Sequence, residues 1–105
     1  MKIRFGQSRQ STIGIEWELA VVDARTMEQV PAADVVLSQV EDPVNGSIRS
    51  EYLTSMIELV SGVHESVPAA VKEMRGHLDY ALSLLEPRGL TLLGLGAHPF
   101  GDPRR

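Results

Sequence analysis

Three features of the 105-residue chain predict an α+β fold. Thr12 to Asp23 alternates apolar and polar residues as a half-buried strand does, and Ser66 to Gly89 carries an apolar stripe at spacings of three and four. Leu90 to Gly96 is a nearly continuous apolar run. The length suits one domain, residues 1–105, with a single core that buries about 65% of the unfolded surface.

Residues 1–11 are polar and lead into the first strand, which ends near Asp23. Strand side chains alternate faces, so Ile13, Ile15, Trp17, Leu19 and Val21 share one side, while Gly14, Glu16, Glu18 and Ala20 share the other. Trp17 therefore belongs to the core, and Asp23 reads as a strand terminator. Ala24 to Glu28 forms a turn, Gln29-Val30 a short returning strand, and Pro31 opens a helix that runs to Val40. Asp42 to Ser47 is the strongest loop signal in the chain.

Ile48 to Ser61 reads as one further strand. Glu58 points away from its more apolar side, and Glu51 has the opposite parity, so only a bulge or a later strand start would bring Glu51 round. Ser66 caps a long helix whose stripe is Val67, Val71, Met74, Leu78, Ala81, Leu82 and Leu85; Pro87 and Gly89 end it. The final strand contains Gly94 and Gly96, which lack the third glycine and following helix of a dinucleotide site and instead mark a bulge or a close backbone approach. The order is strand, short helix, strand, long helix, strand.

Ten basic against fourteen acidic residues give a net charge of −4 without a basic cluster, so nucleic acid is excluded as a partner. No cysteine is present, which excludes disulfides, a thiolate nucleophile and a cysteine zinc site. The first ten residues lack the apolar region of a signal peptide, and no apolar run approaches a membrane span. Cytoplasm is the expected compartment, with no membrane partner.

The chemistry concentrates on Glu16 and Glu18. Two residues of strand separate their attachment points by about 6.6 Å, where two charges repel by about 2.5 kcal/mol at an effective dielectric near 20 and about 0.6 kcal/mol in water. A divalent cation would offset that repulsion, since Mg²⁺ takes one or two carboxylates together with water and substrate phosphates. On strand chemistry alone a solvated strand face is the more ordinary reading of the pattern. If the second acidic strand pairs with the first, Glu16, Glu18 and Glu58 face one space.

Four stretches in order resemble the N-terminal part of the glutamate–cysteine ligase family, most of all its bacterial type-2 branch, the carboxylate-amine ligases. They are Gly14-Ile15-Glu16-Trp17-Glu18-Leu19, then Val22-Asp23, then Glu51 to Gly62, and finally Gly94-Leu95-Gly96-Ala97-His98-Pro99-Phe100. The resemblance implies a glutamine-synthetase-like catalytic fold, present in part: a curved, mostly antiparallel sheet with ATP and metal ions on one face and helices on the other. Glu16 and Glu18 would then be metal ligands, joined by Glu58 and Glu51, with Mg²⁺ or Mn²⁺ as the ion. Relatives can carry Asp at the position matched by Glu51. His98, in a Gly-x-His-Pro-like turn, would border the substrate pocket, and no residue of the chain is assigned as catalytic.

The implied reaction is ATP-dependent amide formation: the glutamate side-chain carboxylate takes the γ-phosphoryl group, and an amine such as that of cysteine attacks the acyl phosphate. Family members are much longer than this chain, which is therefore expected to be a fragment inactive by itself. Its open sheet edges would be covered by self-association or by a complementary chain. The competing reading is a small α+β protein-interaction module with no catalytic role. His64 and His77 receive no site role.

Overall fold

The computed structural model of the chain describes residues 12–101. The alternating segment forms β1, Ile13–Asp23. Asp23 ends it as expected, its Oδ1 accepting the N–H groups of Arg25 and Thr26 at 2.8 and 2.9 Å. The Met27 N–H closes the turn on the Asp23 carbonyl at 2.8 Å, which places Met27 at φ 67°. The returning strand expected at Gln29-Val30 reduces to a single bridge between Gln29 and Val22.

The helix expected from Pro31 to Val40 is a single turn, α1, Asp34–Leu37. Ala33 at its N-cap has no side-chain oxygen to hold the first turn, and the Ala33 N–H is drawn instead to the Thr54 carbonyl at 2.9 Å. The loop that follows is built on Asp42, whose Oδ1 accepts from Val44 and Asn45 at 3.1 and 2.9 Å.

The single strand expected from Ile48 to Ser61 is two: β2, Ile48–Ser50, and β3, Met56–Val60. They fold back on each other with Arg49 opposite Glu58. The intervening residues reverse the chain with no Gly, Pro, Asn or Asp, and Ser55 offers its carbonyl to the Val21 N–H at 2.7 Å. Tertiary hydrogen bonding, not turn composition, makes this break.

The long helix, α2, spans Val67–Leu85, with Ser66 Oγ accepting the Ala69 N–H at 3.3 Å. A 3₁₀ turn, Glu86–Arg88, extends it to Gly89 at φ 74°. Its buried residues are Ala70, Met74, Ala81 and Leu85, with Val71 and Leu78 packed at the margin. Val67, expected in the stripe, is about half exposed, and Ala70 takes its place at the sheet. The last strand, β4, runs through the whole of Leu90–Gly101.

The four strands form one antiparallel sheet in the order β2-β3-β1-β4. Ile15, Leu19, Val21, Ile48, Ile57 and Leu59 meet α1 and α2 on one side, with Trp17 packed against this core. Ile57, Leu59, Met74 and Leu85 are fully buried, and each contributes about 1.5–3 kcal/mol. No helix among the described residues is long and apolar enough to cross a membrane.

A polar clamp ties α2 to the segment after β3. Glu73 Oε1 lies 2.7 Å from His64 Nε2 and 3.0 Å from the Gly62 nitrogen, and Glu73 Oε2 lies 2.8 Å from His77 Nε2. Burial opposes ionisation of Glu73, but hydrogen bonds from His64, His77 and the Gly62 N–H outweigh it, so its carboxyl titrates below the ordinary 4.5.

Two predictions follow from these local structures. Met27→Gly, which removes the left-handed penalty of a side chain at φ 67°, raises stability by about 0.5–1 kcal/mol in urea denaturation. Glu73→Gln lowers stability at pH 7 by about 1–2 kcal/mol. A depressed carboxyl stabilises the fold above its unfolded value and loses that contribution as pH falls through its folded value, so the gap between parent and variant closes below about pH 4.5. Denaturation curves at pH 7 and pH 3.5 measure both.

Candidate metal centre

Register decides which side chains share the face opposite the helices. Residues directly opposite in an antiparallel pair point to the same side. Glu18 of β1 stands opposite Glu58 of β3, Glu16 opposite Val60, and Glu58 in turn opposite Arg49 of β2. On the other flank, Glu18 faces Gly96 and Glu16 faces His98 of β4. One row across the sheet therefore reads Arg49, Glu58, Glu18, Gly96, and the next carries Glu16 and His98.

His98 reaches this face through a bulge. The β1–β4 register steps between Glu18 and Leu19: Glu18 pairs with Gly96 and Leu19 with Gly94, leaving Leu95 as the extra residue. Before the bulge Gly94 lies on the core side, its missing side chain facing Leu19 Cδ2 at 3.9 Å; after it Gly96, His98 and Phe100 lie with the carboxylates. His98 is an exposed strand residue, not part of the turn expected from sequence, and its Nε2 leans to within 3.6 Å of where a Gly96 Cβ would stand. Phe100 lies flat on Gly14, its Cε1 2.7 Å from the position of an added Cβ, so only glycine at residue 14 admits the ring.

Glu58 records the crowding. Burial pushes its carboxyl above the ordinary 4.5, and a hydrogen bond to Glu16, the Glu16 charge and the Glu51 charge push in the same direction, opposed by Arg49. The break after Ser50 frees Glu51 from the parity of a continuous strand, and its charge is felt at Glu58. Glu51 also stands on a cleft of about 340 Å³ lined by Pro31, Asp34, Leu37 and Leu53. A larger apolar cleft of about 470 Å³, lined by Trp17, Leu19, Leu78 and Leu92, opens on the helix side, away from the carboxylates.

The donor set of carboxylate oxygens with one imidazole nearby suits a hard divalent cation. Among the described residues no group of three or more His, Asp or Glu side chains is arranged to hold a metal ion. The Glu16–Glu58 pair instead offers the one or two carboxylates with which Mg²⁺ is ordinarily held, its other positions going to water and phosphate. Two features escaped the sequence reading. Arg49 shares the acidic face only because the strand breaks at Glu51, whereas the Glu73–His77 pair, four residues apart on a helix, was visible as a spacing.

Residues 12–105 match the family described as glutamate-cysteine ligase family 2. Among similar proteins, "Putative glutamate–cysteine ligase 2-2" of Paenarthrobacter aurescens (strain TC1) is 40% identical over 111 residues, covering 98% of this chain and 29% of that protein. "Putative glutamate–cysteine ligase 2-1" of Arthrobacter sp. (strain FB24) is 38% identical over 112 residues, covering 99% and 29%. "Putative glutamate–cysteine ligase 2" of Corynebacterium glutamicum (strain R) is 38% identical over 105 residues, covering 99% and 28%. The chain thus spans less than a third of the length of these relatives. No solved structure matches it.

Glu58→Gln tests the crowding directly. A carboxyl with a raised folded value costs stability above that value and none below its unfolded one, so the variant gains about 0.5–1 kcal/mol at pH 7 and nothing near pH 4. Urea denaturation at the two pH values reads the difference.

Proposed function

The chain belongs to glutamate–cysteine ligase family 2, and from that membership we propose that its acidic sheet face is the metal- and ATP-facing part of a carboxylate-amine ligase with a glutamine-synthetase-like catalytic sheet. The observation that carries the reading is the register that sets Glu18 against Glu58 and Glu16 against His98 on the face opposite the helices. In the proposed reaction the glutamate side-chain carboxylate attacks the γ-phosphorus of ATP and ADP leaves. The amine of an acceptor such as cysteine then attacks the acyl carbon, and phosphate departs with its oxygen.

A divalent cation, Mg²⁺ or Mn²⁺, supplies neutralisation of the phosphate charge in such chemistry. Glu16 and Glu58 would hold the ion, with Glu18 and Glu51 adding to the negative field around it. His98, which the bulge at Leu95 turns to the carboxylate face, would border the substrate pocket from β4. None of these groups acts as a nucleophile; their work is positioning and charge.

A second reading has its own observation. Among the described residues β4 is the edge of the sheet, and Leu93 and Leu95 are 41% and 46% exposed, as on a surface that pairs with another chain or a second copy. Metal dependence separates the two. On the ligase reading, Mn²⁺ at ten times its Kd stabilises the chain by about 1.4 kcal/mol, a rise in Tm of about 6 °C or more. Backbone signals of residues 16–18 and 51–58 broaden, and Glu16→Gln loses both effects. Unchanged Tm and diffuse broadening in the parent chain would leave the interaction module as the better description, with concentration-dependent mass in light scattering as its mark.

A further inference from the structure

We infer that Arg49 is a positioning residue for this face, a tethered permanent counter-charge that weakens divalent-cation binding beside Glu58; the inference rests on the cation reading of the face. Arg49 stands at the end of the row Arg49, Glu58, Glu18, directly opposite Glu58. Its Nε donates to the Gly46 carbonyl at 2.6 Å and its Nη2 to the Asn45 carbonyl at 3.2 Å. Those carbonyls are themselves fixed. The Gly46 N–H bonds to the Asp42 carbonyl at 2.9 Å, and a side chain at residue 46 would meet that same oxygen at 2.5 Å.

The tether keeps the guanidinium near the acidic row without joining it. Ion pairs among the described residues are those of Glu73 with His64 and His77, and Arg49 forms none. Its charge is nevertheless felt at Glu58. The other described cations sit elsewhere: Arg25 in the turn after β1, Lys72 and Arg75 on α2, and Arg88 in the 3₁₀ turn. A guanidinium does not deprotonate in the working range, so its field on the row is constant. The consequence is a face that binds a bare cation less tightly than its carboxylates alone would, and that favours a cation arriving with anionic oxygens which Arg49 attracts.

Titration of the 105-residue chain with Mn²⁺, following free ion by electron paramagnetic resonance and broadening by NMR, tests this with Arg49→Gln and Arg49→Lys. A unit charge about 8 Å from a divalent ion alters its affinity about fivefold even when screened as in bulk water. Arg49→Gln is therefore expected to bind Mn²⁺ about fivefold tighter than the parent. Arg49→Lys, which keeps the charge but loses the fork to the loop carbonyls, is expected to bind within twofold of the parent while being less stable. A residue that only braced the loop would produce the opposite pattern, weaker binding in both variants. Measurable binding at residues 16–18 and 58 with equal affinity in the parent and Arg49→Gln overturns the inference alone. No localised broadening in either form at millimolar Mn²⁺ overturns the cation reading and the inference with it.

Discussion

Everything on the acidic face depends on the antiparallel pairing of β1 with β3. That register places Glu18 and Glu58 directly opposite each other, an arrangement that is locally unfavourable for two like charges. The sheet tolerates it because alternation puts the strongest apolar contacts on the neighbouring residues. Ile57 and Leu59 flank Glu58 and are fully buried, and Trp17 and Leu19 flank Glu18 on the core side. Two such residues at about 1.5–3 kcal/mol each outweigh a like-charge cross-strand pair, an effect of about 0.2–1 kcal/mol. The same strands that expose the charges anchor them.

The far end of the pairing is secured by polar atoms. Beyond Glu16 and Val60 the β1–β3 ladder slips by one residue, and the buried Ser61 hydroxyl accepts the Ile15 N–H at 2.9 Å while its own N–H returns to the Ile15 carbonyl at 2.9 Å. Ile13 and His64 then resume the pairing, and His64 passes the connection to Glu73 of α2. His64, given no site role in the sequence reading, thus holds the helix to the strand that carries Glu58, while His77 braces Glu73 from within the helix.

Much of this was legible in the residues. The β1 parity, the Asp23 terminator, the Asp42 loop and the Ser66 cap depend on neighbours within four positions, so local patterns expose them. The break between β2 and β3 did not show, because Glu51-Tyr52-Leu53-Thr54-Ser55 contains no strong turn former and is held by bonds to Val21 and Ala33, far away in sequence. That one feature moved Arg49 and Glu51 relative to the expected parity. Likewise a ten-residue helix was expected where Ala33 offers no cap and Thr54 takes its N–H; propensity lost to a tertiary bond.

The bulge at Leu95 shows how such a detail governs chemistry. Had β4 continued in simple alternation from Gly94, then Gly96, His98 and Phe100 would have stayed on the core side with Leu19 and Leu78 nearby. One extra residue between two glycines turns all three to the carboxylate face. Gly14 completes the arrangement by giving the Phe100 ring a flat seat beside the strand segment that carries Glu16. The extra residue at Leu95 therefore decides which face His98 occupies, and through it whether an imidazole stands beside the acidic row at all.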